Sequence, residues 1–150
     1  MIALFLLALG LGLVSTPFVA QLAVKINALD LPGGRKLHSQ PVPRLGGIAI
    51  YLGFIVSLNI GLLLSDALLG LFENSMRMWL GLIFGGSVVL GLGIVDDIYQ
   101  VRPRTKLFFQ VLAAAIVYVS GLQITRIAIP FNGVLDFAWL SLPVTLLWIV

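Results

Sequence analysis

MIALFLLALGLGLVSTPFVAQLAV, residues 1–24, contains no charged side chain. Wound as an α-helix at 1.5 Å per residue it is roughly 36 Å long, enough to cross the hydrocarbon of a bilayer with some tilt. Its first basic residue, Lys25, comes after the apolar core, whereas a secretory leader carries its positive charge ahead of it. The reading is therefore a retained spanning helix. Outward from it, residues 45–65, 78–95 and 107–124 are three more uncharged runs of nearly the same length. A fifth run starts at Ala138 and is still apolar at Val150, too short there to span. The expectation is an all-α polytopic membrane protein with four complete transmembrane helices and a truncated fifth. Residues 1–150 would be the N-terminal part of a single longer multi-span domain.

Composition agrees. Of 150 residues, 60% are hydrophobic and 10% charged, against about 25% charged in an average globular chain, and the mean hydropathy is +1.12. A water-soluble fold is excluded. The nine Lys and Arg side chains lie between the apolar runs, so they read as topology signals and not as a groove for nucleic acid. With no cysteine there is no disulfide, thiol nucleophile or thiolate metal site.

Charge orients the chain. The first connection carries Lys25, Arg35, Lys36 and Arg44, and the third carries Arg102, Arg104 and Lys106, while the alternate connections hold only Arg77 and Arg126. Connections one and three are predicted to be cytoplasmic and the N-terminus to lie outside. Within the spans, Gly81 and Gly85, continued by Gly86, Gly91 and Gly93, predict a smooth packing face, and Asn59 and Gln110 are expected to bond across helix interfaces. On the outer side, residues 126–137 alternate around Asn132-Gly133, a type I′ turn dipeptide, and predict a short β-hairpin limited by Pro130.

The two cytoplasmic connections hold the candidate chemistry. The first reads DLPGGRKLHSQPVPRLGGIAI, residues 30–50. A positive-inside anchor would account for its charge alone. Pro41 and Pro43, however, stiffen the backbone just before Arg44 and Gly46-Gly47, an arrangement suited to close approach of a phosphate. The single His38 does not by itself distinguish a ligand from a polar contact. The second connection reads GIVDDIYQVRPRTK, residues 93–106. Two adjacent carboxylates at a helix C-terminus repel one another and oppose the helix dipole, so they invite a divalent cation. If the helix continues through them they point about 100° apart, letting one ligate Mg²⁺ while the other acts as base. Acidic pair and basic segments on one membrane face suit phosphoryl transfer to a lipid-borne phosphate. A transport module is the competing class, although transporter carboxylates sit nearer the bilayer midplane.

DLPGGRKLH at 30–38, PVPRLGGI at 41–48 and the pair Asp96-Asp97 followed by Lys106 together resemble the polyprenyl-phosphate N-acetylhexosamine-1-phosphate transferases. That family includes phospho-N-acetylmuramoyl-pentapeptide transferase, and the wording here is closer to the branch using UDP-N-acetylglucosamine. The resemblance implies a Mg²⁺-dependent enzyme, Mn²⁺ being an alternative ion, of the bacterial cytoplasmic (inner) membrane. Its reaction would join N-acetylglucosamine 1-phosphate to undecaprenyl phosphate with loss of UMP, starting cell-envelope glycans such as O-antigen or teichoic acid linkage units. It further implies Asp96 as base on the lipid phosphate, with Asp97 supporting it or the metal, so that both are candidate catalytic and metal residues. Lys106, Arg35, Lys36, His38 and Arg44 are implied as substrate contacts, and a homodimer is compatible with the family. The muramoyl-pentapeptide branch stays open as the alternative. Family members carry later cytoplasmic motifs that residues 1–150 lack, so this stretch alone is expected to be inactive.

Overall fold

The computed structural model describes residues 2–30, 32, 40–129, 133–136 and 138–150. It is mostly helical, with two small antiparallel hairpins. Three helices are long and apolar enough to cross a membrane: α1 (Ile2–Lys25), α2 (Gly46–Leu64) and α4 (Met76–Tyr99). A short α3 (Asp66–Asn74) separates the last two, and α5 (Pro103–Val119) and α6 (Ser141–Ile149) follow. The strands are β1 (Leu29–Asp30) with β2 (Val42–Pro43), and β3 (Arg126–Ile129) with β4 (Gly133–Asp136). The chain divides into two compact units, Met1–Glu73 with Leu90–Val101, and Asn74–Val89 with Arg102–Val150.

In the first unit α1 and α2 lie together where side chains are smallest. A Cβ on the buried Gly53 would stand 2.9 Å from the Ala8 carbonyl oxygen and 3.1 Å from the Gly12 nitrogen, so the two backbones nearly touch. The core gathers at one end of this pair, where Val19, Ala23, Ala28, Leu45 and Ala49 are buried and Ile48 and Ile94 pack against them. α1 stops in a capped turn: Ala28 N–H donates to the Ala23 carbonyl at 2.9 Å across Asn27, whose φ of 57° is the left-handed value such a cap needs. The chain then enters β1, which pairs with β2 in the register Leu29↔Pro43 and Asp30↔Val42. Neither this hairpin nor α3 is among the sequence expectations. Yet Ser65 accepts from Leu68 N–H at 3.4 Å and Asp66 occupies the first turn, a helix start written in the sequence.

In the second unit, the Gly81 and Gly85 expectation holds in part. Gly81 abuts Ser120, and a Cβ on Gly85 would meet Val117 Cγ2 at 2.8 Å and the Ala113 carbonyl at 3.2 Å, so α4 packs on α5 through these two glycines. Gly91 and Gly93 do not extend the seam, for nothing lies within 4 Å of either. Asn59, expected to bond across an interface, instead donates to the Ile55 carbonyl of its own helix at 2.8 Å. The run 107–124 is also redrawn. Its helix starts earlier, at Pro103, whose missing N–H costs nothing at a first helical position, and it ends at Val119. Gly121 at φ 107° reverses the chain there, leaving a 17-residue helix. Beyond it, Ile124 N–H donates to Thr145 Oγ1 of α6 at 2.9 Å. The expected hairpin is present, but Ile129 pairs with Gly133, so three residues (130–132) separate the strands and Gly133 belongs to β4. Asn132 lies outside the described residues.

Candidate functional site

α4 continues through Asp96 and Asp97 to Tyr99, as the sequence reading required, and both aspartates are half-buried. The helix ends in a left-handed Gln100 (φ 52°), and its last turn closes with Gln100 N–H donating to the Asp96 carbonyl at 2.9 Å. Asp96 Oδ1 then accepts the next backbone donor, Val101 N–H, at 3.0 Å. Asp97 reaches across the sequence: its Oδ2 accepts from Leu45 N–H at 3.0 Å. Each carboxylate thus satisfies a backbone N–H. This is a structural reason for the pair that the helix-dipole argument left out.

The contact with Leu45 joins the two motifs inside the first unit. Leu45 is 2% exposed and adopts φ 72°, rare for a side chain branched at Cγ, and it immediately precedes α2. Its side chain sits in the core while its amide is held by Asp97. One residue earlier, Arg44 donates its backbone N–H to the Ala28 carbonyl at 2.9 Å and its Nη2 to Asp30 Oδ1 at 2.5 Å. Arg44 therefore has its backbone anchored to the end of α1, its guanidinium anchored to β1, and its successor anchored to α4. It also borders a small cleft of about 60 Å³ with Thr16, Val19, Ala20, Pro43, Gly46 and Ala49.

Of the residues singled out in the sequence, the structure brings together Arg44, Asp96 and Asp97, all in the first unit. Lys106 lies in the first turns of α5, in the second unit, with its backbone N–H donating to the Arg102 carbonyl at 3.1 Å. Arg35, Lys36 and His38 lie outside the described residues. Sequence reasoning overlooked two participants, Asp30 and Leu45. Asp30 stands at the head of the quoted motif, fourteen positions before Arg44, and only the β1–β2 pairing reveals them as partners.

Residues 79–150 match the family model described as Glycosyl transferase family 4. A protein of Bacillus subtilis strain 168 named "Probable undecaprenyl-phosphate N-acetylglucosaminyl 1-phosphate transferase" is 34% identical over 147 residues, covering 97% of this chain and 38% of its own length. The second half of the chain thus matches glycosyl transferase family 4, and nearly all of it is similar to this relative. A decaprenyl-phosphate N-acetylglucosaminephosphotransferase of Mycolicibacterium smegmatis is 32% identical over 80% of this chain and 29% of its own. An undecaprenyl-phosphate alpha-N-acetylglucosaminyl 1-phosphate transferase of Pasteurella multocida is 26% identical over 69% of this chain and 26% of its own. The chain thus spans well under half the length of these family relatives. No solved structure matches it.

Proposed function

We propose that the intact protein transfers N-acetylglucosamine 1-phosphate from UDP-N-acetylglucosamine to a polyprenyl phosphate, undecaprenyl phosphate in the first instance, at the cytoplasmic face of a bacterial inner membrane. The observation that carries this reading is the hydrogen bond from Leu45 N–H to Asp97, which brings the PVPRLGG segment beside the acidic pair, in a chain whose relatives bear the names of such transferases. In the reaction, an oxygen of the lipid phosphate forms a bond to the β-phosphorus of the sugar nucleotide. The bond from that phosphorus to the bridging oxygen breaks, and UMP leaves with the electron pair.

Positioning and charge neutralisation are most of what this chemistry asks of a protein. Asp96 takes the role of base, accepting the proton of the lipid phosphate. Asp97 holds the Arg44–Leu45 corner through Oδ2, and its Oδ1, which has no hydrogen-bond partner among the described residues, is a candidate metal ligand. Oxygen donors of this kind fit Mg²⁺, which is commonly held by one or two carboxylates together with substrate phosphates and water. No group of three acidic or histidine side chains is assembled among the described residues. When bound, Mg²⁺ would offset the charge of the pyrophosphate. Arg44 and Lys106, with Arg35, Lys36 and His38, are assigned to phosphate and sugar contacts.

On this reading α1, α2, α4 and α5 are four spans, with α6 in the position of a fifth and the N-terminus outside. The 17 residues of α5 are at the lower limit for crossing. Residues 1–150 alone are expected to show no turnover, because the relatives' matched length is only a minor share of each enzyme. The test is transfer of labelled sugar phosphate from UDP-N-acetylglucosamine to undecaprenyl phosphate by the purified intact protein, with and without Mg²⁺. Mg²⁺-dependent lipid-linked product and UMP in equal amounts support the reading. Preference for UDP-N-acetylmuramoyl-pentapeptide in a donor competition would move the protein to the other branch, and no transfer from either donor would reject it.

A further inference from the structure

We propose that Asp30 is a positioning residue that aims the guanidinium of Arg44 at a substrate phosphate, an inference that rests on the transferase reading above. The two residues meet because β1 pairs with β2 in the register Asp30↔Val42, which brings Arg44 back beside the end of α1. Asp30 Oδ1 accepts from Arg44 Nη2, the two side chains being 24% and 27% exposed. The pair is part-buried, and the ends of the segment are held as well by the bonds from Arg44 N–H to Ala28 and from Leu45 N–H to Asp97.

The larger effect of the pair is on direction. A free arginine side chain has many rotamers, whereas a guanidinium gripped at one end keeps its plane and its remaining N–H donors in one orientation. Here the grip uses Nη2 alone, and Nε and Nη1 have no partner among the described residues. The backbone of the same residue is fixed by Pro43 before it and by the left-handed Leu45 after it. The result is a fixed guanidinium whose second Nη2 N–H, with the Nε or Nη1 donor beside it, forms the remaining two-donor edge, on a residue that also lines the cleft of Thr16, Ala20, Gly46 and Ala49, in the same unit as Asp96 and Asp97. A planar fork with a fixed edge suits two oxygens of one phosphate, either the lipid monoester or the sugar-nucleotide pyrophosphate.

The experiment is steady-state transfer by the intact protein, KM being measured separately for lipid phosphate and for UDP-N-acetylglucosamine. Turnover by the unmodified protein comes first, and its absence would count against the transferase reading and not against the role of Asp30. Given turnover, Asp30→Ala is expected to raise the KM of one of the two substrates about tenfold while changing kcat less. A rise for the lipid places Arg44 on the acceptor, and a rise for the nucleotide places it on the donor. In an Arg44→Ala background the same substitution should change KM less than twofold, since there is no guanidinium left to aim. If Asp30→Ala does not accumulate in the membrane, Asp30→Leu, larger but without an acceptor, is read by the same two criteria. Unaltered KM for both substrates, or effects of Asp30 and Arg44 that simply multiply, would overturn the proposal.

Discussion

Leu45 ties the site to the core through a single backbone angle. A non-glycine residue at φ 72° costs on the order of 1 kcal/mol, and it persists here because its side chain is sealed among Val19, Ala23, Ala28 and Ala49 while Asp97 takes its N–H. Substitutions at Asp97 can therefore separate structure from chemistry. Asp97→Asn keeps an oxygen for Leu45 N–H and should melt close to the unmodified protein, whereas Asp97→Ala leaves that donor unpaired and should lose about 1–3 kcal/mol in a detergent melt. If Asp97 also ligates the metal, the Asn variant will need more Mg²⁺ for half-maximal transfer despite its stability. Asp96→Asn is expected to lower kcat by about 10²–10⁴-fold with the fold intact, read by transfer assay alongside the melt. Normal turnover would remove Asp96 from the role of base. The sequence marked the acidic pair and Arg44 as candidates, because few other charges occur in so apolar a chain. It did not disclose Asp30 and Leu45 as their supports, since a carboxylate within a charged segment and a leucine beside a glycine pair look ordinary until the chain reversal is known.

Among the elements, the long uncharged runs were readable to within a few residues, and for a simple reason. A spanning helix satisfies its own backbone, so its limits follow from hydropathy and the nearest charge. Where the boundary moved, at the end of α5, a local event decided it: Gly121 takes a left-handed φ and stops the helix inside an apolar run that continues to Ile124. The short elements were harder to see. β1 and β2 are two residues each, beneath any periodic signal, and α3 is marked by Ser65 and by Asp66 in its first turn. The glycine pattern was half legible, because a GxxxG spacing says that a face is smooth but not how far along the helix a neighbour follows it. That distinction is measurable. Gly81→Ala drives a methyl group into Ser120 and should cost about 1–3 kcal/mol, whereas Gly91→Ala enters open space and should be neutral or stabilising, as judged by thermal unfolding of the two variants side by side.

For the molecule as a whole, the account depends on both motif segments lying at one membrane surface. Alternation of charge between connections proposes it, and the bond from Leu45 N–H to Asp97 supports it independently, since residues at opposite leaflets are some 30 Å apart. On the proposed function, the same bond would let two segments 52 positions apart act on one phosphate, the first supplying a cation and the second an acceptor for a proton and a ligand for a metal. Residues 1–150 contain no cysteine, so labelling at a position introduced there is read against the unmodified intact protein. The most direct measurement is labelling of the intact protein carrying Gln40→Cys or, separately, Gln100→Cys with a membrane-impermeant maleimide, in whole cells and in inverted membrane vesicles. Both positions should react in inverted vesicles and stay unlabelled in cells. Labelling of one position from outside and the other from inside would contradict the account.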